Sequence, residues 1–172
     1  MRSFGKVLVT LGVILFIFLS VLCITRWYSM KKGCTSYLKL TGDAPTVQLA
    51  NEFLSHALDY IERHNLTKGN SAILFPTSES DLEIWYKQIL GAKNTADRIL
   101  QKGEPKTELE QIENDNALMK IREVVIDHTK QGAKVTTPKN IVWFPYQVLI
   151  AVGWILVIVL IGLGYLIFVV TN

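Results

Sequence analysis

The sequence predicts an all-α membrane protein: two transmembrane helices flanking an antiparallel three-helix soluble domain, which becomes a four-helix domain if either span extends into it. Three observations predict this. Charge is confined to the middle, with all 15 acidic residues between Asp43 and Asp127 and 16 of the 18 Lys and Arg between Arg26 and Lys139. Each end carries an uncharged apolar run of about 20 residues, the length that crosses a bilayer as a helix. Between them, apolar residues recur at three- and four-residue spacing, the period of an amphipathic helix.

After a short tail (1–6), the first span is expected over 7–25. Backbone groups in lipid must be satisfied within the segment, so a helix is required. The apolar run is longer than that of a signal peptide and no A-x-A site follows it. Leu22 stands directly before Cys23, where a lipobox needs a small residue. The second span is expected over 141–170, followed by a tail of two residues (171–172). A domain of about 115 residues is too small to wrap a helix that is apolar on every side. Trp27 and Tyr28 follow the first span, while Trp143, Phe144 and Tyr146 precede the second, as an aromatic belt at the headgroups requires.

The middle domain (26–140) reads as three helices. The first, about 44–65, has Asp43 as its expected N-cap and Pro45 in its first turn. Ala50, Phe53, Leu54, Ala57, Leu58 and Ile61 give it one broad apolar face. Ser71–Pro76 is a short apolar connection, too short to assign. The second helix, about 80–102, has Ser80 and Glu83 at capping-box spacing and ends at Gly103. The third, about 107–131, repeats the box with Thr107 and Glu110 and has Gly132 as its expected C′ residue. Its apolar residues divide into two sets: Leu109, Ile112, Met119 and Ile126, and Leu118, Ile121 and Val125. Gly33 and Pro138 argue against long unbroken extensions of the spans.

Chemistry is sparse. No HExxH, Cys-x-x-Cys, GxSxG, P-loop or Rossmann glycine pattern occurs, so no catalytic, cofactor-binding or metal-ligating residue is assigned, no cofactor is expected, and enzymatic activity is not. Glu52 and His56 stand one helical turn apart, but lack the further ligands of a metal set. Cys34, just beyond the first span, is an unpaired thiol open to pairing with another chain. Trp85 and Tyr86 form the largest aromatic feature of the domain and are its candidate partner or ligand contacts, with a core anchor as the competing role of Trp85. Arg26, Lys31, Lys32, Lys130, Lys134 and Lys139 lie in flanking segments that hold no acid, and are the candidate lipid headgroup contacts. With 16 basic and 15 acidic residues, the domain is nearly neutral, which excludes nucleic acid as the expected partner.

Tyr37-Leu-Lys-Leu-Thr-Gly-Asp-Ala-Pro-Thr46, Asp81-Leu-Glu-Ile-Trp-Tyr86 and Leu118-Met-Lys-Ile-Arg-Glu123 resemble, in order, segments of a widespread bacterial family of two-span membrane proteins with a helical middle domain. In that family's pattern Ala-Asn precedes the position of Thr46, where this chain has Ala-Pro. Gly-Phe precedes the Trp-Tyr pair, where this chain has Glu-Ile. The resemblance implies the architecture and a bacterial source, and it implies no activity.

The expected location is therefore the bacterial cytoplasmic (inner) membrane. A short basic tail before an uncleaved apolar helix places both termini in the cytoplasm and the middle domain outside it, although Arg26, Lys31 and Lys32, and Lys130, Lys134 and Lys139 near the second span, pull the other way. The expected function is a membrane-anchored helical interaction or accessory protein, a subunit or assembly partner of a membrane complex. Its partners are membrane lipids and a protein or a second copy. The alternative is a small-ligand sensor or binding module acting through a partner.

Overall fold

The computed structural model describes residues 2–129 and 132–170, with only the backbone described for Arg2, His128, Thr129 and Gly132. The chain is mostly helical. Helix α1 (Arg2–Met30) passes through one π-helical turn (Lys31–Thr35) directly into α2 (Ser36–Asp43). The 41 residues from Ser3 to Asp43 form one rod, about 60 Å long at 1.5 Å per residue. Its second half belongs to the middle domain, which corrects the expectation that Gly33 disfavours such an extension. Glycine costs about 1 kcal/mol in a helix interior, but here it admits a neighbour: a Cβ at position 33 would sit 2.1 Å from Cδ2 of Tyr60. Met30, Cys34, Leu38 and Thr41 are all buried, so the rod keeps one face on the bundle across the wider turn.

Helix α3 (Val47–Arg63) is capped by Thr46, whose hydroxyl accepts the Leu49 N–H at 3.3 Å, and not by Asp43, which ends α2. Pro45 is the reason. A residue before proline is driven out of helical geometry, and Ala44 is extended at ψ 132°. Proline therefore stops one helix and does not open the next.

Helix α4 (Leu82–Gln101) is capped by Asp81, whose carboxylate accepts the N–H groups of Glu83 and Ile84 at 2.8 and 3.1 Å. Ser80, the expected cap, is buried and closes a capping box with Thr77 around a 3-10 turn. Gly103 follows the helix at φ +83°, a left-handed position suited to glycine.

Helix α5 (Glu108–Val125) carries the Thr107–Glu110 capping box, but it ends six residues before the expected 131. Ile126–Thr129 (β1) pairs antiparallel with Gly132–Val135 (β2), so Gly132 opens a strand and is not a helix C′ residue. The run Val124-Val125-Ile126 is β-branched and favours this change. Ile126 then packs over Gly42, where a Cβ would lie 2.3 Å from its Cγ1.

The stretch 141–146, expected as the start of the second span, is a 3-10 turn (Ile141–Trp143) and a link through the cis Phe144–Pro145 bond. Helix α6 is Gln147–Val170.

Helices α2, α3, α4 and α5 each pack on the next, and α5 closes back on α2. Leu38, Leu54, Ile61, Leu82, Ile89 and Ile121 are fully buried between them. Beneath this bundle α1 and α6 run antiparallel: Gly5 meets Gly164, Gly12 meets Ile161, Leu19 meets Gly153 and Arg26 meets Tyr146. Apart from Met30 and Gln147 at the bundle end, the buried positions among the described residues are Gly5, Gly12 and Leu19 on one helix and Ile150, Val157 and Gly164 on the other. Seven-residue spacing on both sides is the mark of a left-handed coiled-coil seam, and glycines let the two backbones approach. The other faces of both helices are uncovered apolar side chains, with only 11% of each apolar window buried.

Cys34 lies inside the bundle with no exposed surface, and burial pushes its thiol up to about 12. The pairing with another chain considered for Cys34 requires an accessible sulfur and is set aside. In detergent at mildly alkaline pH, Cys34 is expected to resist maleimide until the domain is denatured. Labelling of the native protein at the denatured rate would contradict this placement.

Candidate functional site

Two regions stand out, at opposite ends of the bundle. The first is the junction with α1 and α6. Arg26 donates from Nη2 to the Phe144 carbonyl at 3.0 Å, and its guanidinium lies 5.4 Å from the Tyr146 ring centre. Beside it a cleft of about 300 Å³ opens between α1 and the end of α3, lined by Thr25, Arg26, Ser29, Tyr60, His64 and Phe144. Ser29 and Tyr60 share a hydroxyl–hydroxyl hydrogen bond of 3.0 Å, and the Tyr60 ring stacks on His64 at 3.9 Å. The cleft presents one cation and several hydroxyls at an apolar boundary, an arrangement that suits an anionic headgroup.

The six basic residues singled out on the sequence are not gathered into one patch. Arg26 is at the junction. Lys31 sits 4.8 Å over the Trp27 ring, and Lys32 is exposed on the π-helical turn. Lys134 stands across the hairpin from Asp127. Lys139 pairs with Glu79, whose carboxyl it holds below the usual carboxylate range. Lys130 lies outside the described residues.

Trp85 and Tyr86 point to different neighbours. Trp85 is 4% exposed and donates from Nε1 to the Thr136 carbonyl at 2.8 Å, tying α4 to the chain leaving the hairpin. Tyr86 is half-buried, and its hydroxyl donates to Glu62 at 2.8 Å. That bond favours the neutral phenol and raises its pKa above the ordinary tyrosine value, with burial and the Glu62 charge adding to the shift. His56 stacks on Tyr37 at 4.8 Å. Among the described residues, no three His, Cys, Asp or Glu side chains stand together as a metal would need.

The second region is the far end, where α5 begins. Its first half is largely exposed, with only Asn114 partly covered between Glu108 and Asn116. Leu109, Ile112 and Met119 are 79%, 50% and 56% exposed and fall at helical spacing on one side. Their partners in the sequence pattern, Leu118, Ile121 and Val125, face inward. The ridge is flanked by two grooves. One, of about 580 Å³, runs between α5 and the α2–α3 turn, lined by Pro45, Gln48, Leu100, Gln111, Asp115 and Leu118. The other, of about 380 Å³, runs along α4. A Lys102–Glu113 ion pair of 2.5 Å fixes the α4–α5 turn. The division of apolar residues into two sets was the sequence signal for this ridge; a single amphipathic face needs only one.

No family model, curated protein or solved structure matches the chain.

Proposed function

We propose that this chain is a membrane-anchored helical interaction protein that holds a partner at the end of its bundle remote from the membrane. The observation that carries this is the α5 ridge. Leu109, Ile112 and Met119 form an apolar stripe in which each side chain is at least half exposed, and such a stripe on a water-facing domain marks a contact surface. Two further features support the anchoring. Helices α1 and α6 are long and apolar enough to cross a bilayer, and their outward faces are uncovered. Arg26 lies against Tyr146 where the apolar helices meet the bundle, and Trp27 and Tyr28 follow it directly on α1, the place for a headgroup belt. The chain is then a two-span protein of the bacterial inner membrane, with both termini in the cytoplasm and the bundle outside.

Mild detergent extraction of the full chain, followed by mass measurement in solution, tests the contact. The wild type is expected to run above monomer mass, as a homo-oligomer or with a second protein. Leu109→Glu with Ile112→Glu is expected to reduce it to monomer without lowering the unfolding midpoint, because both side chains are already exposed. A strictly monomeric, partner-free wild type sinks the proposal. The alternative, a small-ligand module, draws on the 580 Å³ groove beside the ridge. A reproducible ligand-induced rise in melting temperature, abolished by Gln111→Leu, would favour it.

A further inference from the structure

The link between α3 and α4 holds an apolar tip that neither the bundle nor the α5 ridge uses. Gly69–Ser78 contains no charged residue, and at its centre Leu74 and Phe75 are 78% and 82% exposed. Phe75 is the most exposed of the large apolar side chains in the described residues. The base of this loop is fixed. Gln147, in the first turn of α6, donates from Nε2 to the carbonyls of Asn70 at 3.0 Å and Ala72 at 3.4 Å. Buried Ser71 donates to the Lys139 carbonyl at 2.6 Å, and Asn70 bridges to Asp81 at the start of α4. These partly buried polar contacts hold residues 70–72 in place, and they are costly to leave unmade.

The same bonds set its height. α3 ends and α4 begins at the bundle end that meets α1 and α6, so the loop joining them lies on that side. Gln147 is followed at once by Val148 and Leu149, exposed apolar residues of α6. The loop base is thus level with the start of the uncovered apolar surface. Arg26 and Tyr146 meet at that same level.

We infer that Leu74 and Phe75 are embedded in the interfacial layer of the bilayer, a third membrane contact beside the two helices. This rests on the two-span reading. The loop base sits beside the first turn of α6, where the uncovered apolar face of that helix begins, so lipid is the one occupant we assign to the tip, and the absence of charge from Gly69 to Ser78 suits that layer. A third attachment would restrict the tilt of the bundle to the membrane more than the helix pair does alone.

The test uses the full chain in vesicles of phosphatidylcholine and phosphatidylglycerol, in a Cys23→Ala background, with buried Cys34 left in place. An environment-sensitive fluorophore is attached in turn through Phe75→Cys, Leu109→Cys and Ile158→Cys. Lipids brominated near the glycerol end of the chain are expected to quench the Phe75 probe strongly and the Leu109 probe hardly at all. Lipids brominated deep in the chain are expected to quench the Ile158 probe. Aqueous iodide should give the reverse ranking. If the Ile158 probe is quenched by lipid while the Phe75 probe matches Leu109, the loop contact is overturned and the spans stand. If the Phe75 probe is shielded from iodide yet unquenched by bromine, a protein surface covers it and the inference falls. If Ile158 itself is unquenched, the two-span reading fails and takes the inference with it.

Discussion

Trp85→Ala is expected to destabilise the middle domain by about 3–5 kcal/mol, the cost of emptying a large aromatic site in a packed core. The indole is almost wholly buried, and its N–H is the bond between α4 and Thr136. Trp85→Phe keeps most of the packing and loses the bond, at a cost of about 1 kcal/mol. Denaturant unfolding of the full chain in micelles, followed by far-ultraviolet circular dichroism, gives both values. The ordering separates the two roles considered for this residue. A core anchor gives a large Ala effect and a small Phe effect. A surface contact gives near-zero changes in both, with partner binding lost instead, and that outcome would overturn the placement described here.

Gly164→Ile is expected to force α1 and α6 apart. A Cβ at Gly164 would meet the Gly5 carbonyl oxygen at 2.8 Å and the Val9 backbone nitrogen at 3.0 Å. Main-chain atoms cannot rotate aside, so the helices must separate or slide, a strain of about 1–3 kcal/mol. Gly162, two residues earlier, faces open space. Gly162→Ile serves as the matched control, with the same added bulk on the same helix. Spin labels introduced through Ser3→Cys and Val169→Cys report the separation. A longer, broader distance is expected for Gly164→Ile and no change for Gly162→Ile. Equal responses would show that the glycines set no register.

These two residues show how legibility differed along the chain. The outline was readable because charge and hydropathy partition without help from tertiary contacts. A run such as Val148–Val170 excludes water-facing structure at any position in a fold. Thr107 and Glu110 were readable for the same reason, since a capping box is closed by residues three apart. The errors came where a local signal had two meanings. Pro45 can open a helix or end one. Gly33 can weaken a helix or admit a ring. Val124–Ile126 fits a buried helix stripe or a strand. The extended geometry of Ala44 before Pro45 decided the first case, and close approaches to Tyr60 and between Gly42 and Ile126, distant in sequence, accompany the other two.

The candidate regions followed the same division. Leu109, Ile112 and Met119 are visible in the sequence as part of one of two apolar sets, but which set faces inward depends on where α2 lies against α5. That position depends on α1 continuing past Gly33. Leu74 and Phe75 gained meaning only from Gln147, more than 70 residues away in the chain.

Sequence alone therefore determined the class: two apolar helices around a nearly neutral helical domain, because composition and periodicity act within a segment. Only the tertiary structure decided that the first apolar helix is also a wall of the bundle, that heptad-spaced glycines set the helix pair, and that one face of α5 is left uncovered. Those outcomes depend on close approach between distant residues, and close approach is a property of the packed chain.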